Sequence, residues 1–149
     1  MARNTAEIRV GRLLEVRATA GYRTASDVDL LFDTLGREMR KVQSGVRVLT
    51  VVDWRFCPLM SPEGAQRIGQ RIAANNERTE RSAALVSRDA PLSVLQFLRV
   101  IREADLPDRK LFFSQIELVQ YLAELLSPAE LARMHAFLAE GMPKASLAR

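Results

Sequence analysis

Two aspartates occupy positions from which a carboxylate could take part in catalysis or metal binding. Asp53 directly follows the β-branched run VRVLTVV, and Asp89 comes shortly after the apolar run SAALV. Ligand-binding side chains of α/β proteins lie where parallel strands end, so these two carboxylates could meet at one sheet edge. Such a pair can coordinate Mg²⁺, or act as acid and base when one pKa is raised. We favour the alternative, in which Asp89 caps the helix beginning near Pro91 and Asp53 orders its loop.

Few other groups suited to catalysis are present. His135 is the only histidine and lies in the last predicted helix, a position typical of a helix-surface residue. Cys57 is the only cysteine, so it cannot form an internal disulfide, and this fits a reducing cytoplasm. One histidine and one cysteine do not make a conventional zinc site, and the phosphate-binding glycine motifs and GxSxG are missing. We therefore expect no enzyme activity, no metal and no cofactor.

The segment WRFCPLM, residues 54–60, contains most of the remaining candidates for contact with a ligand or partner. Trp54 either lines a pocket or covers the end of the sheet, and the sequence leaves both open. Cys57 is either a thiol activated by the nearby Arg55 or a buried, inert one, and we favour the second. We expect Asp53 and Trp54 to form a contact surface for a partner or ligand together with the remaining apolar side chains of the segment: Phe56, Leu59 and Met60.

Ser61 follows this segment, and it is the candidate for chemical modification. A serine before proline, as in Ser61-Pro62, is a standard way to begin a helix. The free N–H groups and the dipole at a helix N-terminus also favour a phosphate. The same residue can therefore be a cap or a phosphorylation site, and we favour the cap alone.

The composition is that of one ordinary globular domain. The chain has 149 residues, of which 48% are hydrophobic and 27% charged. No apolar run approaches the roughly 20 residues of a membrane span, and the N-terminus lacks the apolar centre of a secretory signal. The net charge of +4 arises from 22 basic and 18 acidic residues that are interleaved. This pattern favours a solvated surface over a nucleic-acid interface.

The order of elements predicts an α/β fold with a mixed, mostly parallel sheet flanked by helices. Two short strands joined at Gly11-Arg12 form a hairpin, and in the second strand alternation predicts one buried face. Strands then alternate with helices, in the order β-β-α-β-α-β-α-β-α-α, which indicates parallel neighbours. Ser26 is the expected cap of the first helix. The run VRVLTVVDW is apolar on both faces, which predicts a strand covered by helices on each side.

The helix PLSVLQFLRVIREAD has a wider apolar surface than one sheet face requires. We expect its inward stripe to consist of Val94, Leu95, Leu98 and Ile101. The surplus would then contact a second subunit, a ligand or the final helix, and it consists of Leu92, Phe97 and Val100.

In order and character these elements resemble the STAS domain, and most closely its SpoIIAA-like branch, which is often compared with Sec14 lipid-transfer proteins. The resemblance runs from Glu7 to Leu126 and is carried by the hairpin, VRVLTVVDW, the serine-headed helix, RSAALVS and RKLFFSQIELVQYL. It implies a STAS-like domain in 7–126, to which the helix in 127–141 is an addition. Outside these ranges we expect a disordered N-terminus in 1–6 and a flexible tail in 142–149. Anti-sigma-factor antagonists carry a phosphorylated serine in an Asp-Ser-x-Gly motif. Here WRFCPLM separates Asp53 from Ser61, and Gly64 follows three positions later.

What the resemblance implies is a non-catalytic regulatory module. Its partner would be a protein, such as a kinase or another regulator, and a homodimer is allowed. The alternative is a pocket for a lipid or other apolar molecule between sheet and helices, lined or gated by Trp54, Phe56, Leu59 and Met60. A third hypothesis, an enzyme using Asp53, Asp89 and a metal, is the least supported, because further ligands are not visible.

Overall fold

A computed structural model describes residues 2–143 and confirms the α/β class. The strands are β1 (Asn4–Ile8), β2 (Leu13–Ala18), β3 (Val48–Asp53), β4 (Thr79–Leu85) and β5 (Arg109–Phe112). The helices are α1 (Ala25–Met39), α2 (Pro62–Ala74), α3 (Pro91–Ala104), α4 (Gln115–Ala123) and α5 (Pro128–Glu140), and a 3-10 turn follows α2 at Asn76–Arg78. No helix within residues 2–143 is long and apolar enough to cross a membrane.

The five strands form one sheet in the order in which they occur along the chain. β1 pairs antiparallel with β2, whereas every later pair, β2–β3, β3–β4 and β4–β5, is parallel. The predicted topology is therefore confirmed, including the single antiparallel hairpin. Because the strand order never reverses, the parallel strands create no switch point, the place where open α/β sheets usually bind ligands.

Helices cover both faces of the sheet, as the apolar β3 strand predicted. Odd and even positions of a strand point to opposite faces. Leu14, Val16 and Ala84 belong to the core cluster of α1, α2 and α3. Leu13 and Val51 belong to a second cluster with α4 and α5, whose buried helix residues are Leu118, Leu122, Met134, Phe137 and Leu138.

Several local predictions are wrong. β1 begins at Asn4, so the expected disorder of 1–6 does not hold for residues 4–6, which pair with β2. β2 is buried on both faces rather than one, because α5 covers Glu15. Thr24, not Ser26, caps α1, since Asp27 completes a capping box with it. The predicted flexible tail lies outside the described residues from position 144 onward.

The orientation of α3 also differs from the prediction. Phe97 is only 1% exposed, and Val100 is buried beside it, whereas Leu95 is 63% exposed. Leu92 and Leu98 point outward with Leu95. The helix is rotated in this way because Phe97 stacks on Trp54, with 4.2 Å between ring centroids and 11° between ring planes. Phe97 and Val100 therefore belong to the core and are not available to a partner.

Candidate functional site

The loop between β3 and α2 brings together the candidates of residues 54–60. Trp54 is buried at the end of β3, and its indole Nε1 donates a hydrogen bond to the Tyr22 hydroxyl at 3.0 Å. Burial raises the pKa of Tyr22 well above its ordinary value, so this hydroxyl stays protonated. Trp54 covers the sheet end and also contributes to the wall of an internal cavity.

The rest of the loop divides into buried and exposed side chains. Cys57 and Met60 are buried, whereas Phe56 is 48% and Leu59 53% exposed. The side chain of Gln96 in α3 fixes the loop, because its Oε1 accepts from Met60 N at 2.8 Å and its Nε2 donates to Met60 O at 2.9 Å. The exposed pair is thus held in a fixed position next to α3.

Ser61 caps α2, as the favoured interpretation predicted. Its Oγ accepts a hydrogen bond from Gly64 N at 2.9 Å, and its hydroxyl donates to the carbonyl oxygen of Arg23. Gly64 allows the start of α2 to lie against the loop before α1, because a Cβ at position 64 would lie 1.8 Å from the Tyr22 carbonyl oxygen. The hydroxyl therefore joins α2 to the loop that precedes α1.

Asp53 lies in a closed electrostatic cluster and not in an open site. It is 2% exposed, and its carboxylate pairs with Arg17 at 3.0 Å and with Arg55 at 2.9 Å. Both arginines also donate to carbonyls in the last turn of α5, Arg17 to Phe137 O and Arg55 to Leu138 O at 2.7 Å. The C-terminal end of α5 therefore covers Asp53, and the carboxylate is not available to a partner, contrary to the prediction.

Asp89 neither joins Asp53 in a metal site nor caps α3. Ala90 occupies the N-cap position without a side-chain hydrogen bond, and Asp89 is exposed. In the part of the chain that the structure describes, no three His, Cys, Asp or Glu residues lie close enough together to hold a metal ion. The favoured interpretation of Asp89 as a cap is therefore wrong, because the loop places the residue one position too early.

The single cysteine and the single histidine belong to different elements, the loop between β3 and α2 and the helix α5. Burial raises the pKa of the Cys57 thiol to about 12, which makes it a poor nucleophile at neutral pH. His135 is exposed on α5, where it borders a shallow groove against α4 together with Ile116 and Val119. This arrangement agrees with the inert thiol and the helix-surface histidine that we favoured.

An internal cavity of about 40 Å³ lies between the sheet and the helices α1 and α2. Its wall is mostly apolar, and Trp54 is the one predicted pocket residue that contributes to it. Arg109 lies at its polar end, where the guanidinium donates to Asn76 Oδ1 and to Ile72 O, both at 3.0 Å. Burial lowers the pKa of Arg109 to about 10, and no carboxylate of residues 2–143 forms an ion pair with it.

Exposed apolar side chains form a second kind of candidate site, which we call the leucine surface. It consists of Leu92, Leu95 and Leu98 on the outer face of α3 together with Phe56 and Leu59 in the adjoining loop. The two groups adjoin because Gln96, one turn after Leu92, binds the residue next to Leu59. Of these five residues, the sequence predicted Leu92, Phe56 and Leu59 as contact residues but assigned Leu95 and Leu98 to the core.

The roles of Arg17, Arg109 and Arg133 were not predicted from the sequence. Arg17 alternates with Glu15 and Leu13 along β2, and all three point toward α5. A signal was present, because an interior strand with charges at alternate positions needs partners for them on the covering helix. Arg133 supplies one such partner, since it binds the buried Glu15 at 2.8 Å. Arg109 carried no comparable signal.

Comparison with protein-family models, with curated proteins and with solved structures finds no match to the chain.

Proposed function

We propose that the protein is a non-catalytic, STAS-like interaction module that binds a protein partner through the leucine surface. The observation that carries this proposal is the grouping of five large apolar side chains on one α3–loop surface, with Leu92 and Leu95 each more than three-fifths exposed. Contiguous exposed apolar side chains of this kind are typical of protein-binding surfaces. The Gln96–Met60 hydrogen bonds support the proposal further, because they hold both parts of the surface in a preorganised arrangement.

The chemistry of the strand ends supports a binding role over a catalytic one. Arg17 and Arg55 occupy the carboxylate of Asp53, and the thiol of Cys57 is protonated and buried. A free, buried thiol without a disulfide partner also suits a reducing compartment, so we propose a cytoplasmic location.

Site-specific photocrosslinking in living cells tests the proposed surface. A photoreactive phenylalanine analogue would replace Leu59, Leu92 or, as a control, Leu30, which is 65% exposed on α1 and belongs to another surface. We expect covalent adducts of discrete mass from positions 59 and 92 and none from position 30. Equal labelling at all three positions, or none at 59 and 92, would refute the proposal.

Phosphorylation of Ser61 as a switch stays a prediction. A phosphate would keep an acceptor and negative charge at the N-terminus of α2, which the helix dipole favours. It would also remove the hydroxyl donor that now binds the Arg23 carbonyl, and this would loosen the loop before α1. Intact-mass analysis of protein isolated from its own cells, with peptide mapping, tests the prediction. An unmodified Ser61 under every growth condition leaves it with the capping role alone.

The alternative function is binding of an acidic apolar molecule, and Arg109 favours it. This buried guanidinium has no carboxylate counterpart within residues 2–143, and it borders an apolar cavity. A cavity of about 40 Å³ holds little more than a water molecule, so a ligand would have to displace neighbouring side chains. Melting curves with octanoate and with octanol test the idea. A melting temperature that rises with octanoate but not with octanol, and that no longer rises in Arg109→Gln, supports the idea. Equal melting temperatures with the two compounds refute it.

A further inference from the structure

We infer that the partner of the leucine surface is a second copy of this chain, with the two α3 helices packed antiparallel about a two-fold axis at Leu95. The inference rests on the proposed function, because it names the occupant of the same surface. It depends on the spacing of apolar and charged residues along α3 and on the ion pairs that this helix leaves unmade.

The apolar part of the outer face of α3 is centred on Leu95. Leu92 lies three residues before it and Leu98 three residues after it, and all three side chains are exposed. Residues three apart lie next to each other on a helix, so the leucines form one short stripe. A two-fold axis at Leu95 places Leu92 of one copy opposite Leu98 of the other, which makes the stripe complementary to itself.

The charges at the two ends of the stripe have opposite signs. Asp89 lies in the exposed turn just before α3, and Arg102 lies seven residues after Leu95 on the same face of the helix. At 1.5 Å per residue, Arg102 lies roughly 11 Å from the axis along α3. Antiparallel packing brings the turn that carries Asp89 in one copy to this end of α3 in the other. Parallel packing would instead oppose like charges.

Both of these charges lack an ion pair within the described chain. Neither Asp89 nor Arg102 takes part in any of the salt bridges formed by residues 2–143. Arg99, one turn earlier, is paired with Glu103 at 3.0 Å. The two-fold arrangement supplies the missing partner twice, and this charge complementarity selects a second copy over an unrelated apolar segment.

The size of the contact sets the expected strength of the dimer. Three leucines and two ion pairs, extended by the neighbouring Phe56 and Leu59, make an interface below the standard size of stable complexes. We therefore expect a concentration-dependent dimer with a Kd on the order of micromolar, and not an obligate one.

Sedimentation velocity of the purified full chain over a range of concentrations tests the inference. We expect the wild-type mass to rise from 16.7 kDa toward twice that value. Leu95→Glu places two like charges at the axis, so this variant should remain a monomer, whereas Leu30→Glu on α1 should behave as wild type. A wild-type chain that stays monomeric up to about millimolar concentration, far above a micromolar Kd, overturns the inference.

A charge exchange tests the register of the two helices. Asp89→Arg and Arg102→Asp should each raise the Kd at least about tenfold, because each leaves like charges opposed at both ends. The double variant Asp89→Arg/Arg102→Asp should return the Kd to within about threefold of wild type, since the opposite pairs form again. A dimer that ignores these exchanges, or a double variant that is not restored, overturns the inference. Crosslinks from positions 59 and 92 to a different protein would then leave the proposed function standing.

Discussion

The two faces of the sheet are closed by different kinds of contact. The face covered by α1, α2 and α3 is mainly apolar, with the Trp54–Phe97 stack at the end of β3 and a small cavity beneath α1 and α2. The face covered by α4 and α5 also has an apolar cluster, but buried ion pairs border it. Arg17 and Arg55 hold Asp53 at the end of β3, and Arg133 holds Glu15 in the middle of β2.

This difference means that the two faces should respond differently to substitution. Apolar packing loses free energy in proportion to the volume removed, and its neighbours can partly relax. A buried ion pair behaves as a unit, because removal of one member leaves the other charged and without a partner. The charged face should therefore be the more sensitive of the two to a change of a few atoms.

Asp53→Asn should have the largest effect on stability, although it replaces only one carboxylate oxygen with an amide NH2 group. It leaves Arg17 and Arg55 without their anion beneath the end of α5, so we expect a loss of about 3 to 5 kcal/mol in the free energy of unfolding. Urea denaturation measures this loss. Asp33→Asn is the matched control, since Asp33 is largely exposed in its pair with Arg71 and should cost less than about 1 kcal/mol. Similar losses in both variants would mean that burial of the cluster is unimportant.

Phe97→Leu examines the apolar face. It removes the stacking partner of Trp54 but keeps much of the volume, so we expect a loss of about 1 to 3 kcal/mol. Trp54 is the only tryptophan, and its fluorescence should shift to longer wavelength as water gains access. Leu95→Ala on the same helix should change stability by no more than about 0.5 kcal/mol in dilute monomer. The reverse order of the two variants would contradict the rotation of α3 described above.

Ser61→Ala tests a contact within the α1–α3 face and should have a smaller effect. The variant loses the cap of α2 and the bond to the Arg23 carbonyl, which together contribute about 1 to 2 kcal/mol. Ser114→Ala removes a cap from α4 that has no such second bond, and so should lose less. The difference between the losses in melting temperature of the two variants measures what the hydrogen bond from Ser61 to the Arg23 carbonyl contributes.

The pH dependence of stability should come partly from the charged face. Hydrogen bonding to Arg133 holds the pKa of Glu140 below its usual range. A carboxyl group whose pKa is lower in the folded state stabilises the fold above its unfolded pKa of about 4.3, and this contribution is lost as the pH falls through the folded value. Stability should thus decline below about pH 4, and Glu140→Gln should decline less steeply. An unchanged slope in urea titrations at several acidic pH values would show that the pair with Arg133 does not contribute.

The topology of the fold was predictable from the sequence, because it depends on patterns that repeat over many residues. The strand–helix alternation and the apolar β3 strand indicated a parallel sheet covered on both faces, and the Ser-Pro pair at Ser61 indicated the cap of α2. These signals are local, and the structure agrees with each of them.

The details of the site depend on contacts that the sequence does not encode locally. α3 has apolar residues on most of its circumference, so periodicity could not decide between Leu95 and Phe97 as the inward residue. The stack on Trp54, from another part of the chain, decided it. Asp53 binds Arg17, which lies 36 residues away in the sequence. Arg55, which also binds Asp53, donates to a carbonyl of α5 that lies 83 residues after Arg55. Only the register of β2 against β3 and the position of α5 bring these groups together.

The cover that α5 provides over Asp53 has a consequence for the order of events during protein synthesis. Arg55 leaves the ribosome 83 residues before Leu138, whose carbonyl completes its set of hydrogen bonds. At 5 to 20 residues per second, this delay is roughly 4 to 17 seconds. For that time the end of β3 presents an uncovered cluster of two arginines and one aspartate to the solvent. Asp53 therefore gains its cover late, only when α5 has been synthesised and has docked.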